Sequence, residues 1–86
     1  MSSDRLERMR RKPKGDWRIS VVQAVCREFG VVCIAAKGGG SHYNVGHRSQ
    51  RDIVTIPSRR PIKPVYIRQL VGFIDAVKVA NRDDEA

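Results

Sequence analysis

A histidine that follows a run of glycines is the feature of this sequence most suited to chemistry. Residues 37–42 read KGGGSH, so a lysine and three glycines come immediately before Ser41 and His42. Glycine lets a backbone approach a phosphate closely and can present N–H groups to an anion. Histidine titrates near neutral pH and could act as general base on a ribose 2′-hydroxyl or as general acid toward a leaving 5′-oxygen. The stretch therefore suggests RNA cleavage.

The strand that begins at this histidine would sort its side chains between two faces. Alternation places His42 and Asn44 on one face and Tyr43 and Val45 on the other. Basic residues in neighbouring turns could stabilise the charge of a phosphorane-like transition state beside the histidine. The candidate catalytic residue is His42, and the candidate RNA-binding residues are Lys37, Gly39, Gly40, Ser41, Asn44, Arg48, Arg51, Arg59, Arg60 and Lys63.

Simpler interpretations of the same residues stay open. A glycine run between strands is usually only a flexible turn, and a lone histidine on a strand is more often a surface residue than a catalyst. No Gly-Lys-Ser/Thr follows the glycines, which excludes a nucleotide-binding P-loop. Because neighbouring strand residues point apart, we expect Ser41 and His42 not to form a hydrogen-bonded pair. His47 and His42 have no thiolate or carboxylate close in sequence, so we expect neither a metal nor another cofactor.

Composition points to a small basic domain. The 86 residues suffice for one compact domain, and 17 Lys and Arg against 9 Asp and Glu give a net charge of +8. Twelve of the 17 are arginine, which favours bidentate contact with phosphates and carboxylates, so nucleic acid or an acidic protein would suit as partner. Cys26 and Cys33 are expected to be buried and reduced. No apolar run approaches a membrane span and no secretory signal is present, so we expect a cytoplasmic protein without a membrane partner.

Hydrophobic periodicity predicts the elements that would position the site. Residues 1–15 are expected to form a basic arm outside the core, flexible or briefly helical. Apolar residues at helical spacing predict a helix over 17–29, with Asp16 as its N-cap and Gly30 at its C′ position. The remaining segments are three strands at 31–36, 41–46 and 52–57, a helix at 64–80 that begins at Pro64, and an acidic, frayed tail at 81–86.

The order of these segments predicts an α+β fold. Three strands with short connections pair as an antiparallel meander, and two helices on one face would give the α-β-β-β-α order. The double-stranded-RNA-binding domain has this order. The apolar run at 31–36 is expected to be a buried strand. The domain itself is expected to span residues 16–80.

A resemblance to HicA-type toxins of bacterial type II toxin–antitoxin modules rests on DWRISVVQAVCREFG, VVCIAAKGGGSHYNVGHR and DIVTIPSRRPIKPVYIRQLV, about residues 16–78. The shared pattern is a helix ending in Phe-Gly, a Lys-Gly-Ser-His turn, a strand ending in Pro and a Lys-Pro helix start. It implies a double-stranded-RNA-binding-like fold and a metal-independent mRNA endoribonuclease (mRNA interferase) that inhibits translation. His42 matches the family's catalytic histidine, preceded by Gly40 and Ser41, and a HicB-type antitoxin would cover it.

Two other functions fit the same pattern. One is a non-catalytic module that reads double-stranded RNA by shape, through phosphate and 2′-hydroxyl contacts. The other is a protein-interaction subunit whose basic surface meets an acidic partner. Basic residues should surround His42 in a nuclease and gather on a helix and loop edge in a binding module. The chain departs from the family in its three-glycine turn and in its basic arm, which compact members lack.

Overall fold

The described part of the chain forms three helices and one three-stranded antiparallel sheet. The computed structural model describes residues 4–37 and 41–85, with side chains described up to residue 82. The predicted α-β-β-β-α order is confirmed, and one further helix precedes it. The elements are α1 (Asp4–Arg11), α2 (Ile19–Glu28), β1 (Val32–Ala35), β2 (His42–Gly46), β3 (Val54–Pro57) and α3 (Pro64–Glu85).

The sheet is the predicted meander, with β2 between β1 and β3. Its register places Asn44 between Ile34 and Thr55, and His42 opposite Pro57. The predicted alternation along β2 is confirmed, because Val45 is fully buried while the side chain of His42 is exposed. One face of the sheet therefore packs on the helices and the other, which carries His42, is open.

The first strand is not the buried strand that its apolar sequence predicts. Val32 and Ile34 are 53 % and 60 % exposed, whereas Cys33 between them is half-buried. The helices cover only one face of the sheet, so every second residue of β1 lies on the open face whatever its polarity. An apolar run of this length cannot distinguish a strand covered on both faces from a strand covered on one.

The two predicted helices pack on the sheet, α2 beside β1 and α3 beside β3. The predicted apolar stripe of α3 is confirmed, and the helix begins at Pro64 as expected. Its end is not where the prediction placed it, since the helix continues through the tail to Glu85, in a segment without Pro or Gly to stop it. The buried residues of the stripe are Ile67, Leu70, Val71, Ile74 and Val77.

The start of α2 also differs from the prediction. Its N-cap is Arg18, which makes no side-chain capping bond, whereas Asp16 accepts a hydrogen bond from the Arg18 guanidinium at 3.5 Å. The backbone of Trp17 is held outside the helix by bonds to the carbonyl of Gly15 and from the N–H of Ile62. The helix end is confirmed, because Gly30 lies just beyond Phe29 with a φ of +67°, a left-handed conformation that favours glycine.

The N-terminal segment is part of the core, so the prediction that it lies outside is wrong. Leu6 and Met9 of α1 are 1 % and 0 % exposed and belong to the main hydrophobic cluster. The helix packs on α3 and α2. Two ion pairs hold its surface, with Arg5 bound to Glu28 of α2 and Arg10 bound to Asp75 of α3.

Candidate nucleic-acid interface

His42 stands at the beginning of the central strand, with its backbone fixed on both sides. Its carbonyl accepts a hydrogen bond from the N–H of Ala36 at 2.8 Å, and Pro57 of β3 lies opposite. The side chain is exposed on the open face of the sheet. A histidine held in this way has a defined position and an accessible imidazole.

Ser41 forms a hydrogen bond with this imidazole, which contradicts the expectation that the two side chains point apart. The distance from Ser41 Oγ to His42 Nδ1 is 3.1 Å. Ser41 lies in the turn before β2, so the alternation of the strand does not extend to it. Its carbonyl accepts bonds from the N–H of Ser58 at 2.8 Å and from Ser58 Oγ at 3.2 Å. With Nδ1 bonded to this anchored serine, Nε2 is the ring nitrogen left to face a ligand.

A groove of about 480 Å³ opens beside the histidine, between the end of β3 and the start of α3. Two predicted RNA-binding cations, Arg59 and Lys63, lie on it and are exposed. Neither forms an ion pair within the part of the chain that the structure describes. The residues that line the groove are Ser41, His42, Pro57, Ser58, Arg59, Pro61, Lys63 and Tyr66.

Of the residues that line the groove, sequence reasoning missed Pro57, Ser58, Pro61 and Tyr66. Among these four, Tyr66 is the one with an aromatic ring. It follows Lys63 by three residues, so the two side chains project from neighbouring positions at the start of α3. It is half-buried and packs against the core, while part of its surface lines the groove. The three-residue spacing between Tyr66 and the lysine of the Lys-Pro helix start is the sequence signal that could have indicated this residue.

Other predicted RNA-binding residues are not brought to the groove. Asn44 shares the open face with His42, but its Oδ1 accepts a hydrogen bond from Thr55 Oγ1 at 3.0 Å. Arg48 and Arg51 belong to the loop after β2. At the usual rise per residue, the far end of β2 at Gly46 lies roughly 13 Å from His42, and both arginines lie beyond that end.

The remaining predicted binding residues lie around the turn before the histidine and in the linker after β3. Arg60 adjoins Arg59 in the chain but does not line the groove. Lys37 is exposed beyond the end of β1. Gly39 and Gly40, the glycines of the predicted phosphate cradle, fall outside the described residues.

The second histidine has a local structural partner. His47 Nδ1 accepts a hydrogen bond from the N–H of Ser49 at 3.0 Å and lies 2.7 Å from Ser49 Oγ, which shapes the loop after β2. Within residues 4–37 and 41–82, no three His, Cys, Asp or Glu side chains lie close enough together to hold a metal ion.

The two cysteines are free thiols, as expected, but only Cys26 is fully buried. Burial raises the pKa of Cys26 to about 12 and also raises the pKa of the half-buried Cys33. Neither cysteine lines the groove at His42.

No protein-family model matches the chain, and neither a curated protein nor a solved structure is significantly similar to it. Of the helices described, none is long and apolar enough to cross a membrane. The fold and the site therefore define the molecule as a small basic α+β protein. Its open sheet face carries a serine-bonded histidine beside a groove with two cations.

Proposed function

We propose that this protein is an endoribonuclease that cleaves mRNA with His42 as its general acid or base. As the resemblance to HicA-type toxins implies, it would have a double-stranded-RNA-binding-like fold and serve as the toxin of a type II toxin–antitoxin module. One observation carries the proposal, namely that His42 shares a single groove with Arg59 and Lys63. A proton-transfer group and two cations in one groove suit attack on a phosphodiester.

Cleavage at this site would use the 2′-hydroxyl of the substrate as the nucleophile. His42 Nε2 takes the 2′-hydroxyl proton, the 2′-oxygen bonds to phosphorus, and the bond from phosphorus to the 5′-oxygen breaks. The 5′-oxygen takes a proton from water, so the products are a 2′,3′-cyclic phosphate and a 5′-hydroxyl. For this step the neutral imidazole must keep its single proton on Nδ1, where the N–H donates a hydrogen bond to Ser41 Oγ, an arrangement that the 3.1 Å separation supports.

The cations and the walls of the groove would bind the substrate around the scissile bond. The Arg59 guanidinium and the Lys63 ammonium stabilise the phosphate oxygens as their charge grows in the transition state. The ring of Tyr66 offers a face on which a nucleobase can stack, and Pro57 and Pro61 complete an apolar wall. No step in this scheme requires a metal ion.

Cleavage of mRNA would inhibit translation, and such an enzyme needs a partner that controls it. A HicB-type antitoxin that covers His42 would exclude RNA from the groove. The net charge of +8 supports an acidic surface on that partner, since opposite charge speeds association and fixes orientation.

The chemistry of the RNA ends tests the proposal. RNA of mixed sequence is incubated with the purified protein in EDTA, beside DNA of the same sequence. We expect RNA fragments that end in 2′,3′-cyclic phosphate and begin with 5′-hydroxyl, and intact DNA because it lacks the 2′-hydroxyl. Fragments with 3′-hydroxyl and 5′-phosphate ends, or DNA cut equally, would show that the 2′-hydroxyl is not the nucleophile.

A non-catalytic RNA-binding module is the second candidate, because other cations gather outside the His42 groove. Arg11, Lys12 and Lys14 lie with Arg68 of α3 around a separate cavity at a helix and loop edge. A binding module would return the RNA intact after incubation and would bind it with a strong dependence on salt.

A further inference from the structure

We propose that Arg11, Lys12, Lys14 and Arg68 form a second contact surface for the RNA sugar–phosphate backbone, outside the groove at His42. We call this surface the α1–α3 patch. The inference rests on the proposed function only in taking RNA as the ligand. It adds a binding surface that extends the footprint of the protein beyond the site of cleavage.

The four cations of the α1–α3 patch converge on one cavity of about 520 Å³, which Pro13 and Gly15 complete. All four side chains are exposed, and none forms an ion pair within the described part of the chain. Of the nearby acids, Asp75 and Glu7 are paired with Arg10, and Asp16 is paired with Arg18. Asp4 lines a neighbouring cavity with Arg11.

Among the described residues, no acid lines the cavity of the patch itself, so the patch carries a net positive charge. Four charges that converge on one cavity raise the local potential and attract a polyanion more strongly than the same charges spread over the surface. The simpler reading is that basic residues in the last turn of α1 only complement the helix dipole. It does not account for Lys14 or for Arg68, which lie outside that helix.

The loop that carries the patch is fixed before any ligand binds. The carbonyl of Lys12 accepts hydrogen bonds from the N–H of Gly15 at 3.0 Å and from Trp17 Nε1 at 2.8 Å. A Cβ at Gly15 would lie 3.1 Å from Trp17 Nε1, so glycine allows this close approach. The carbonyl of Trp17 in turn accepts a bond from Ile62 at 2.9 Å. A surface ordered in advance loses less conformational entropy when it binds.

The chemistry of the patch favours a phosphate backbone over a protein. None of the large exposed hydrophobic side chains lies in its lining, and the adjoining ring of Trp17 is half-buried against the core. Protein interfaces draw much of their affinity from buried aromatic and arginine anchors, whereas phosphate contacts need little more than positioned charge. The open sheet face, with exposed Val32 and Ile34, offers apolar anchors to a protein partner instead.

The patch and the groove flank the same part of α3. Lys63 and Tyr66 line the groove, whereas Arg68 lines the patch. Residues two apart on a helix point to nearly opposite sides, so about one helix diameter, roughly 10 Å, separates the two surfaces. The bond between Ile62 and Trp17 joins the segments that border them. A strand of several nucleotides can therefore contact both surfaces at once.

The test measures RNA binding in a His42→Ala parent, which keeps the RNA intact. Lys12→Gln with Arg68→Gln removes two charges from the patch. Arg27→Gln with Arg82→Gln is the matched control, because it removes two exposed charges outside both surfaces. Each protein is checked for folding by circular dichroism, and its affinity is measured across salt concentrations with single-stranded RNAs of about 4 and about 16 nucleotides.

With the longer RNA, we expect the patch variant to bind tenfold or more weakly at low salt. We also expect its slope of log K against log salt to fall by about 1.4, since each single-strand phosphate contact contributes about 0.7. The control should keep the slope of the parent, and on the short RNA the difference between the two variants should be smaller, because fewer phosphates are available to contact both surfaces. Equal slopes for variant and control on the longer RNA would overturn the inference, as would a parent that binds neither RNA. If the wild-type protein did not cleave RNA while the patch variant still lost affinity as described, only the proposed function would be overturned.

Discussion

Arg10 of α1 donates two hydrogen bonds to the carboxylate of Asp75 on α3, with donor–acceptor distances of 2.7 and 2.8 Å. This bidentate pair joins residues from opposite ends of the sequence and fixes the direction of α1 along α3. The α1–α3 patch draws Arg11 from α1, Lys12 and Lys14 from the loop after it and Arg68 from α3, so the pair also helps to position that surface.

Replacing the carboxylate should weaken the fold in a pH-dependent way. Both side chains are 39 % exposed, so we expect Asp75→Asn to lower the free energy of unfolding at pH 7 by about 0.5–1 kcal/mol. The hydrogen bond from Arg10 lowers the pKa of Asp75. The folded state thus gains stability above the unfolded pKa of about 3.9 and loses it as the pH falls through the lowered value.

Urea unfolding of wild type and Asp75→Asn across acid pH checks this prediction. Asp52→Asn, at an exposed loop position, is the control for loss of one negative charge. The difference between wild type and Asp75→Asn should shrink as the pH falls below about 4. A difference that stays constant would mean that the ionised pair does not stabilise the fold.

Because the apolar side of α1 is buried, a substitution there should lower the free energy of unfolding by more than loss of the Arg10–Asp75 pair does. Met9 is fully buried, so Met9→Ala should lower the free energy of unfolding by about 2–4 kcal/mol through lost contacts and a cavity. Arg8→Ala, its exposed neighbour, should change the same quantity by less than about 0.5 kcal/mol. Urea denaturation followed by circular dichroism measures both, and equal midpoints for the two variants would place α1 outside the core.

The cysteines should react slowly in the folded protein. Only a thiolate is alkylated readily, and burial raises the pKa of Cys26 to about 12. At pH 8, iodoacetamide should modify Cys26 more slowly than the half-buried Cys33, and both more slowly than in urea. Mass spectrometry of the digested protein gives the two rates, and equal rates in the folded state would contradict the burial of Cys26.

The raised pKa of Cys26 also predicts how the stability of the fold depends on alkaline pH. Because the folded state holds the Cys26 proton more tightly than the unfolded state, its contribution to stability is complete below the ordinary thiol pKa near 9. It is lost as the pH rises from about 9 toward about 12.

Sequence patterns anticipated the features that depend on local periodicity. The period of two along β2 placed His42 and Val45 on opposite faces, and the helical stripe from Ile67 to Val77 marked the buried side of α3. Gly30 marked the end of α2 because a left-handed residue is needed there. Each of these features is set by neighbours within a few positions in the chain.

The features that were missed depend on contacts distant in sequence. Leu6 and Met9 are two apolar residues within a run of charges, and their burial depends on α3, which lies more than fifty residues further along the chain. The exposure of Ile34 follows from helices covering only one face of the sheet. Tyr66 lies within the predicted helix at 64–80, and the position of β3 beside α3 shows that it also lines the groove.

The comparison of His42→Ala with His47→Ala tests the central claim most directly. Both variants remove one imidazole, but His42 lines the groove and His47 bonds Ser49 in a loop. Each is purified without a partner, checked for folding by circular dichroism, and incubated with mixed-sequence RNA in EDTA. We predict that wild type and His47→Ala cut the RNA and that folded His42→Ala loses at least a hundredfold in rate, the lower range for general acid–base catalysis. Cleavage by His42→Ala at the wild-type rate would contradict the role assigned to this histidine.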